Sequence, residues 1–292
     1  MAFQTDFEDI VQCDVPMAEH TWLKLGGAAE YFAEPTSGDQ LEALVRRCRA
    51  DDVPVRLLGG GSNVLVRDDR LPGMVIRLAG PDFQQIATQG RRVVAGGGAK
   101  LGHVISHAVR DGLGGMEALV GIPGTIGGAL HGNAGGHGGD IGQWTCQATV
   151  MTRSGEIHQR QREDLAFGYR ESSLDELVIL EAQFELEEAD PEELTKRMQK
   201  QWIVKKASQP LAHQSAGCIF KNPRGMSAAM LIEQAGLKGT RVGQVVVSDR
   251  HANFMIAEQG ATAADVLKLI DKVRAAVAER LGVELETEIE IW

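Results

Sequence analysis

Three glycine-rich runs could offer main-chain N–H groups to an anion. Gly59, Gly60 and Gly61 lead into Ser62 and Asn63. Pro123, Gly124 and Thr125 lead into Gly127 and Gly128, and Asn133, Ala134 and Gly135 follow shortly after. Consecutive N–H groups in a glycine turn form a concave nest for phosphate oxygens, and a residue without Cβ lets a planar or charged ligand approach the backbone. Ser62, Asn63 and Thr125 add side-chain donors. A tight structural turn also explains each run taken singly. The first run lacks the dinucleotide fingerprint, because GxGxxG must open a helix and here a strand-like NVLVRD follows. His103 and His107, one helical turn apart, lack a third ligand for a metal. Cys218 is a lone cysteine, a residue type that commonly fills a core.

The elements that must position these runs are legible in part. QLEALVRRCRA places Leu41, Leu44, Val45 and Cys48 at helical spacing, and VPVRLL reads as the strand that feeds the first glycine run. RRVVAGGGAKLGHVISHAVRDG repeats strand, glycine turn and helix. Eleven glycines between Gly114 and Gly139 predict a long functional loop with little regular structure. A hairpin turning at Ser154 and Gly155 follows, then the strand VILEAQFELEE. Asp190, Pro191 and Glu193 read as N-cap, first-turn proline and capping-box glutamate of a helix running through Trp202. Beyond it come a helix from Ser227 to Ala235, strands VGQVVVS and ANFMIA, a helix from Thr262 to Leu281 stopped by Gly282, and an alternating terminal strand, LETEIEIW. This last stretch predicts a compact α+β unit.

Composition narrows the class. The 292 residues carry 35 glycines, about 12% against a usual value near 7%. A hydrophobic share of 43% with 24% charged residues fits a globular protein with a core and excludes disordered and fibrous classes. A net charge of −10 with no basic block argues against nucleic acid and anionic membranes as partners. Neither a leader pattern nor an apolar stretch of membrane-spanning length occurs, so a cytoplasmic protein is expected. The four cysteines show no CxxC spacing, and neither a disulfide framework nor a structural metal is expected.

LLGGGSNVLVRD, GMEALVGIPGTIGGALHGNAGG, FGYRES, SAGCIFKNP, LIEQAGLKG, SDRHANF and LETEIEI, in that order from Thr21 to Ile291, together resemble the UDP-N-acetylenolpyruvoylglucosamine reductase family. The resemblance implies an α+β fold: a PCMH-type FAD-binding fold in two lobes, residues 1–83 and 84–189, and a substrate-binding domain at 190–292. It implies FAD and NADPH as cofactors and a small-molecule substrate, the enolpyruvyl ether of UDP-N-acetylglucosamine, reduced to UDP-N-acetylmuramate for peptidoglycan synthesis. Arg170 and Asp190 lie only 20 positions apart, which resembles the shorter class without an inserted substrate loop.

By motif matching, the resemblance makes Arg170 the holder of the substrate carboxylate, Cys218 the proton donor where serine is frequent, and Glu288 the glutamate that polarises that carboxylate. Strand alternation puts Glu286 and Glu290 on the same face as Glu288, so the motif alone chooses among them. Tyr169, Lys221, Asn222, His251 and Asn253 are implied to face the UDP-sugar. The three glycine runs become FAD contacts. Lys24 and His137 depart from the family pattern. Two other readings stand beside this one. A flavin oxidase of the same fold commonly attaches FAD through a histidine in the first glycine turn, which GGGSN lacks. A non-catalytic nucleotide-binding module would use the glycine nests alone.

Overall fold

Ser37 accepts a hydrogen bond from Gln40 N and so caps helix α1, Gly38–Ala50, whose apolar face is Leu41, Leu44, Val45 and Cys48. Each fully buried leucine contributes about 1.5–3 kcal/mol of transfer free energy. These side chains pack with Ala33, Met74 and Ile76 in one apolar core. The computed structural model describes residues 7–136 and 138–292, and the chain divides into two compact units. The first contains the described residues up to Asp14, Glu30–Gly60 and Pro72–Ile203; the second contains Val15–Ala29, Gly61–Leu71 and Val204–Trp292. This partition interleaves segments where the sequence suggests three consecutive regions.

The core around α1, in the first unit, backs a four-stranded sheet ordered Val11–Pro16, Ala28–Ala33, Leu71–Arg77 and Val55–Leu58, its last two strands parallel. A second core, of Val93, Ile105, Leu130 and Phe184 among others, lies on a five-stranded sheet. That sheet is ordered Ile157–Gln161, Thr145–Met151, Val178–Glu185, Arg92–Gly96 and Ile86–Gln89, all antiparallel. Helix α2, Leu101–Arg110, contributes Leu101, Val104, Ile105, Ala108 and Val109 to it. The glycine-rich loop departs from its predicted irregularity. Ile126–His131 forms helix α3, N-capped by Thr125, whose Oγ1 accepts from Gly128 N at 3.4 Å. Helix α4, Pro191–Ser208, runs beyond the predicted stop at Trp202, and the division between the units falls within it.

The second unit has its own core. α5, Ala228–Gln234, and α6, Ala263–Leu281, pack with Leu23, Leu25 and Leu65 and with the sheet Arg241–Val242, Val245–Val247, Met255–Ala257. Thr262 and Asp265 close a capping box at the start of α6, and Gly282 ends it at φ 69°, the left-handed C-cap. The predicted terminal strand is shorter than its alternation suggests: only Glu290–Ile291 is regular, paired in parallel with Val64–Leu65. Residues 286–288 instead bond back to the Cys218 segment. Among the described residues no helix is long and apolar enough to cross a membrane.

Candidate active site

The first two glycine runs meet although some 60 residues separate them. A Cβ on Gly59 would come within 2.8 Å of Thr125 Oγ1, and one on Gly60 within 2.8 Å of Gly124 Cα. Gly124 itself has φ 116°. This pair of turns rests on a further run that the sequence offers only as a turn. Gly127 N donates to Gly97 O at 2.8 Å, Ile126 N to Ala99 O at 2.9 Å and Leu101 N to Gly124 O at 3.1 Å. A Cβ on Gly97 would lie 1.8 Å from Ile179 O, so that glycine serves close backbone approach. Gly60, Pro123 and Gly128 stay exposed, leaving glycine main chain open to a ligand.

Asn133, expected among the cofactor contacts, turns its side chain inward. It is 2% exposed, its Nδ2 donates to Gly168 O at 2.7 Å, and its Oδ1 accepts from Gly142 N at 3.1 Å. Ala134 and Gly135 carry the chain onward, and Gly135 O accepts from Arg170 Nη1 at 3.2 Å. Tyr169 and Arg170 form the two-residue turn of a hairpin, Phe167–Gly168 against Glu171–Ser172. Arg170 takes φ 58° there, and its guanidinium lies 5.4 Å from the Tyr169 ring centroid. Tyr169 is exposed and Arg170 half-buried, with its Nε buried.

The second unit gathers Cys218, Lys221 and Glu288. Glu288 N donates to Ile219 O at 2.7 Å and Lys221 N to Glu286 O at 2.8 Å, so the two segments run side by side. Lys221 Nζ pairs with Glu286 Oε1 at 2.6 Å, a partner with no fixed role in the sequence reading. Asn253 is buried at 2% and clamps Phe220 on both sides, Oδ1 accepting from its N–H and Nδ2 donating to its C=O. Its amide is thus spent on holding the Cys218 segment. Asn222 Oδ1 accepts from Ala228 N at 2.9 Å at the start of α5. From the first glycine run, Gly61–Asn63 belong to this unit. Asn63 Nδ2 donates to Glu288 O at 3.0 Å, and Ser62 is half-buried beside it. Gly61 has φ 64°, and a Cβ there would lie 2.0 Å from His20 O. The fold itself therefore requires glycine at 61.

Burial pushes the His251 imidazole below its ordinary pKa, and the Lys238 cation adds to the effect. Its Nδ1 is buried without a hydrogen-bond partner among the described residues, and the ring stands edge-on to Phe254 at 4.8 Å. An unfolded histidine takes up its proton near pH 6.5, which the folded chain resists. The stability tied to this group is therefore full above that pH and falls away as the solution becomes more acidic. Thermal unfolding between pH 7.5 and 5 should show a shallower acid loss in His251→Gln than in the parent. Equal slopes would remove His251 from the acid sensitivity.

Residues 209–292 match the C-terminal domain family of UDP-N-acetylenolpyruvoylglucosamine reductase, and residues 29–160 match an FAD binding domain family. The UDP-N-acetylenolpyruvoylglucosamine reductase of Geobacter metallireducens is 43% identical over 279 residues, covering 95% of this chain and 92% of its own. That of Rhodopirellula baltica is 38% identical over 290 residues, covering 99% and 95%. The chain belongs to the UDP-N-acetylenolpyruvoylglucosamine reductase family. A crystal structure of the Thermus caldophilus enzyme of that name superposes with a TM-score of 0.84 at 38% identity, covering 97% of this chain and 98% of its own.

As a reductase of this family, the chain is an FAD-dependent oxidoreductase, and the facing turns at residues 59–60 and 124–128 leave glycine main chain exposed of the kind such a cofactor's diphosphate requires. Position 128 offers a clean test. A Cβ there would meet nothing closer than Thr125 Oγ1 at 3.6 Å, ordinary contact, so the fold tolerates a side chain that a bound diphosphate or flavin would not. Gly128→Val should purify folded and colourless. FAD retained at one per chain would remove α3 from the cofactor site. Among the described residues no group of three or more His, Cys, Asp or Glu could hold a metal; His137 lies outside them.

Proposed function

We infer that the chain catalyses the NADPH-driven, FAD-dependent reduction of UDP-N-acetylglucosamine enolpyruvate to UDP-N-acetylmuramate, a step of peptidoglycan precursor synthesis in the cytoplasm. The observation that carries this reading is the near-complete alignment with relatives bearing the reductase name, 42% identical over 95% of the chain in the Symbiobacterium thermophilum protein. The FGYRES hairpin and the SAGCIF segment fall within that span.

When bound, FAD supplies the hydride that NADPH provides. The chain's own residues manage charge and proton. Hydride addition to a double bond conjugated to a carboxylate drives negative charge onto the carboxylate oxygens. Arg170, with a planar fork of donors in a hairpin turn, suits bidentate contact with that group and gains strength as the charge grows. Glu288, half-buried on the segment bonded to Ile219, polarises the same carboxylate. Cys218 Sγ gives its proton to the carbon beside the carboxylate, and solvent restores the thiol. Tyr169, Lys221, Asn222 and His251 remain the candidates for the UDP-sugar. Asn253 acts through the backbone it clamps.

The test is NADPH consumption with and without the enolpyruvyl UDP-sugar, followed by mass analysis of the sugar nucleotide. Consumption that depends on the sugar, with a product heavier by two hydrogens, is expected. A sugar nucleotide recovered unchanged while NADPH reduces oxygen would overturn the assignment.

A further inference from the structure

We propose that Asn133 is a positioning residue for Arg170, fixing the hairpin that presents the guanidinium without touching substrate itself. The proposal rests on Arg170 holding the substrate carboxylate, as argued above. Arg170 occupies the second position of a two-residue turn at φ 58°, where glycine is the usual occupant. An arginine stays in that region only when its surroundings over-determine it. Those surroundings are the loop that leaves α3. Asn133 Nδ2 holds Gly168 O, the carbonyl two residues before Arg170, at 2.7 Å. Ser172 Oγ donates to His131 O at 3.1 Å, His131 Nδ1 donates to Leu174 O at 3.3 Å, and Arg170 Nη1 itself reaches Gly135 O at 3.2 Å.

Asn133 is the buried centre of this lacing. Its backbone is itself left-handed, at φ 41°, and its Oδ1 takes Gly142 N, so one amide ties three segments. The opposite end of α3 begins at Thr125, in the glycine turn that faces Gly59. One short helix therefore connects the turn proposed for FAD to the hairpin that carries Arg170. Because reacting groups must be held to within a fraction of an ångström, a loosened hairpin costs rate and not merely affinity.

Asn133→Gly removes the amide while suiting a residue at positive φ, and Ser172→Ala removes two peripheral bonds of the hairpin, the one its Oγ donates to His131 O and the one it accepts from Leu174 N at 3.3 Å. Each is measured alone and combined with Arg170→Ala, by FAD content, flavin bleaching by NADPH, affinity for the enolpyruvyl UDP-sugar, and the rate of the second half-reaction. Asn133→Gly should keep its FAD and its bleaching rate, bind the UDP-sugar more weakly, and slow the second half-reaction by about 10- to 100-fold, the scale of a misplaced group. Ser172→Ala should slow it by about tenfold or less, the scale of two peripheral hydrogen bonds at the hairpin edge.

Neither should add to the loss once Arg170 is gone, because residues acting as a unit are not additive. Losses that multiply with that of Arg170→Ala, a parental second half-reaction in both single variants, or loss of FAD in both would each overturn the proposal. If Asn133→Gly does not fold, Asn133→Asp, which keeps the acceptor for Gly142 N and loses the donor to Gly168 O, decides by the same outcomes. A parental second half-reaction in Arg170→Ala alone would instead overturn the role given to Arg170 and, with it, the basis of this proposal.

Discussion

Arg170→Ala should leave NADPH-driven bleaching of the flavin intact while slowing reoxidation by the enolpyruvyl UDP-sugar by about 10²- to 10³-fold, the cost of removing one preorganised donor from a developing oxyanion. The separation follows from where the charge builds. Reduction of the flavin by NADPH puts none on the substrate carboxylate, so Arg170 has nothing to stabilise in that step. Arg170→Lys should recover only part of the loss, because an ammonium cannot reproduce the planar two-point fork. Rapid-mixing spectra that resolve the two half-reactions measure both effects. If Arg170→Ala lost bleaching and kept the second step, the arginine would belong to NADPH binding.

The loss in Cys218→Ala should be as large or larger. Removing a positioned general acid costs about 10²- to 10⁴-fold, and without protonation the hydride addition can run backwards. The variant should bleach normally and then stall. Cys218→Ser keeps a proton on a similar atom and should turn over. A thiol is a far stronger acid than an alcohol, so the alkaline limb of the serine variant's pH profile should move upward. The position is well placed for such a role. Cys218 is half-buried, and the segment it begins is clamped by Asn253 and runs beside Glu288. Cys48 gives the contrast, its thiol pushed up to about 12 by burial. A parental rate and pH profile in Cys218→Ala would return Cys218 to a packing role.

Local patterns showed most of the elements. Ser37 before α1 and Thr262 with Asp265 before α6 announce those helices through their own caps, and the apolar spacing of α2 is complete within ten residues. The glycines around α3 mask its helical pattern, and Thr125, its N-cap, is the one local signal for it. α4 outran Trp202 because nothing in IVKKAS stops a helix. The glycine runs pointed to the right region but not to the duty of each residue. Gly61 and Gly97 are glycines because neighbouring backbone carbonyls leave no room for a Cβ, whereas a Cβ at Gly128 would make only an ordinary contact with Thr125 Oγ1.

Asn133 and Asn253 show the limit most clearly. Each resembles a ligand contact by its motif, yet Asn133 spends its amide on the backbone of Gly168 and Gly142, 35 and 9 residues away, and Asn253 on that of Phe220, 33 residues away. No local pattern encodes such a partner. Lys221 is similar: its pairing with Glu286 depends on two distant segments lying side by side. Within LETEIEI, alternation could not single out Glu288, and the structure replaces that alternation with backbone bonds to Ile219 and Lys221.

The enolpyruvyl UDP-sugar is the oxidant of the reduced enzyme. Enzyme bleached by one equivalent of NADPH is mixed with that sugar under strict exclusion of oxygen, and the flavin absorbance is followed. The yellow band should return in a single turnover, and UDP-N-acetylmuramate should appear in equal amount. A flavin that stays bleached with the sugar and recolours only when oxygen is admitted would contradict it.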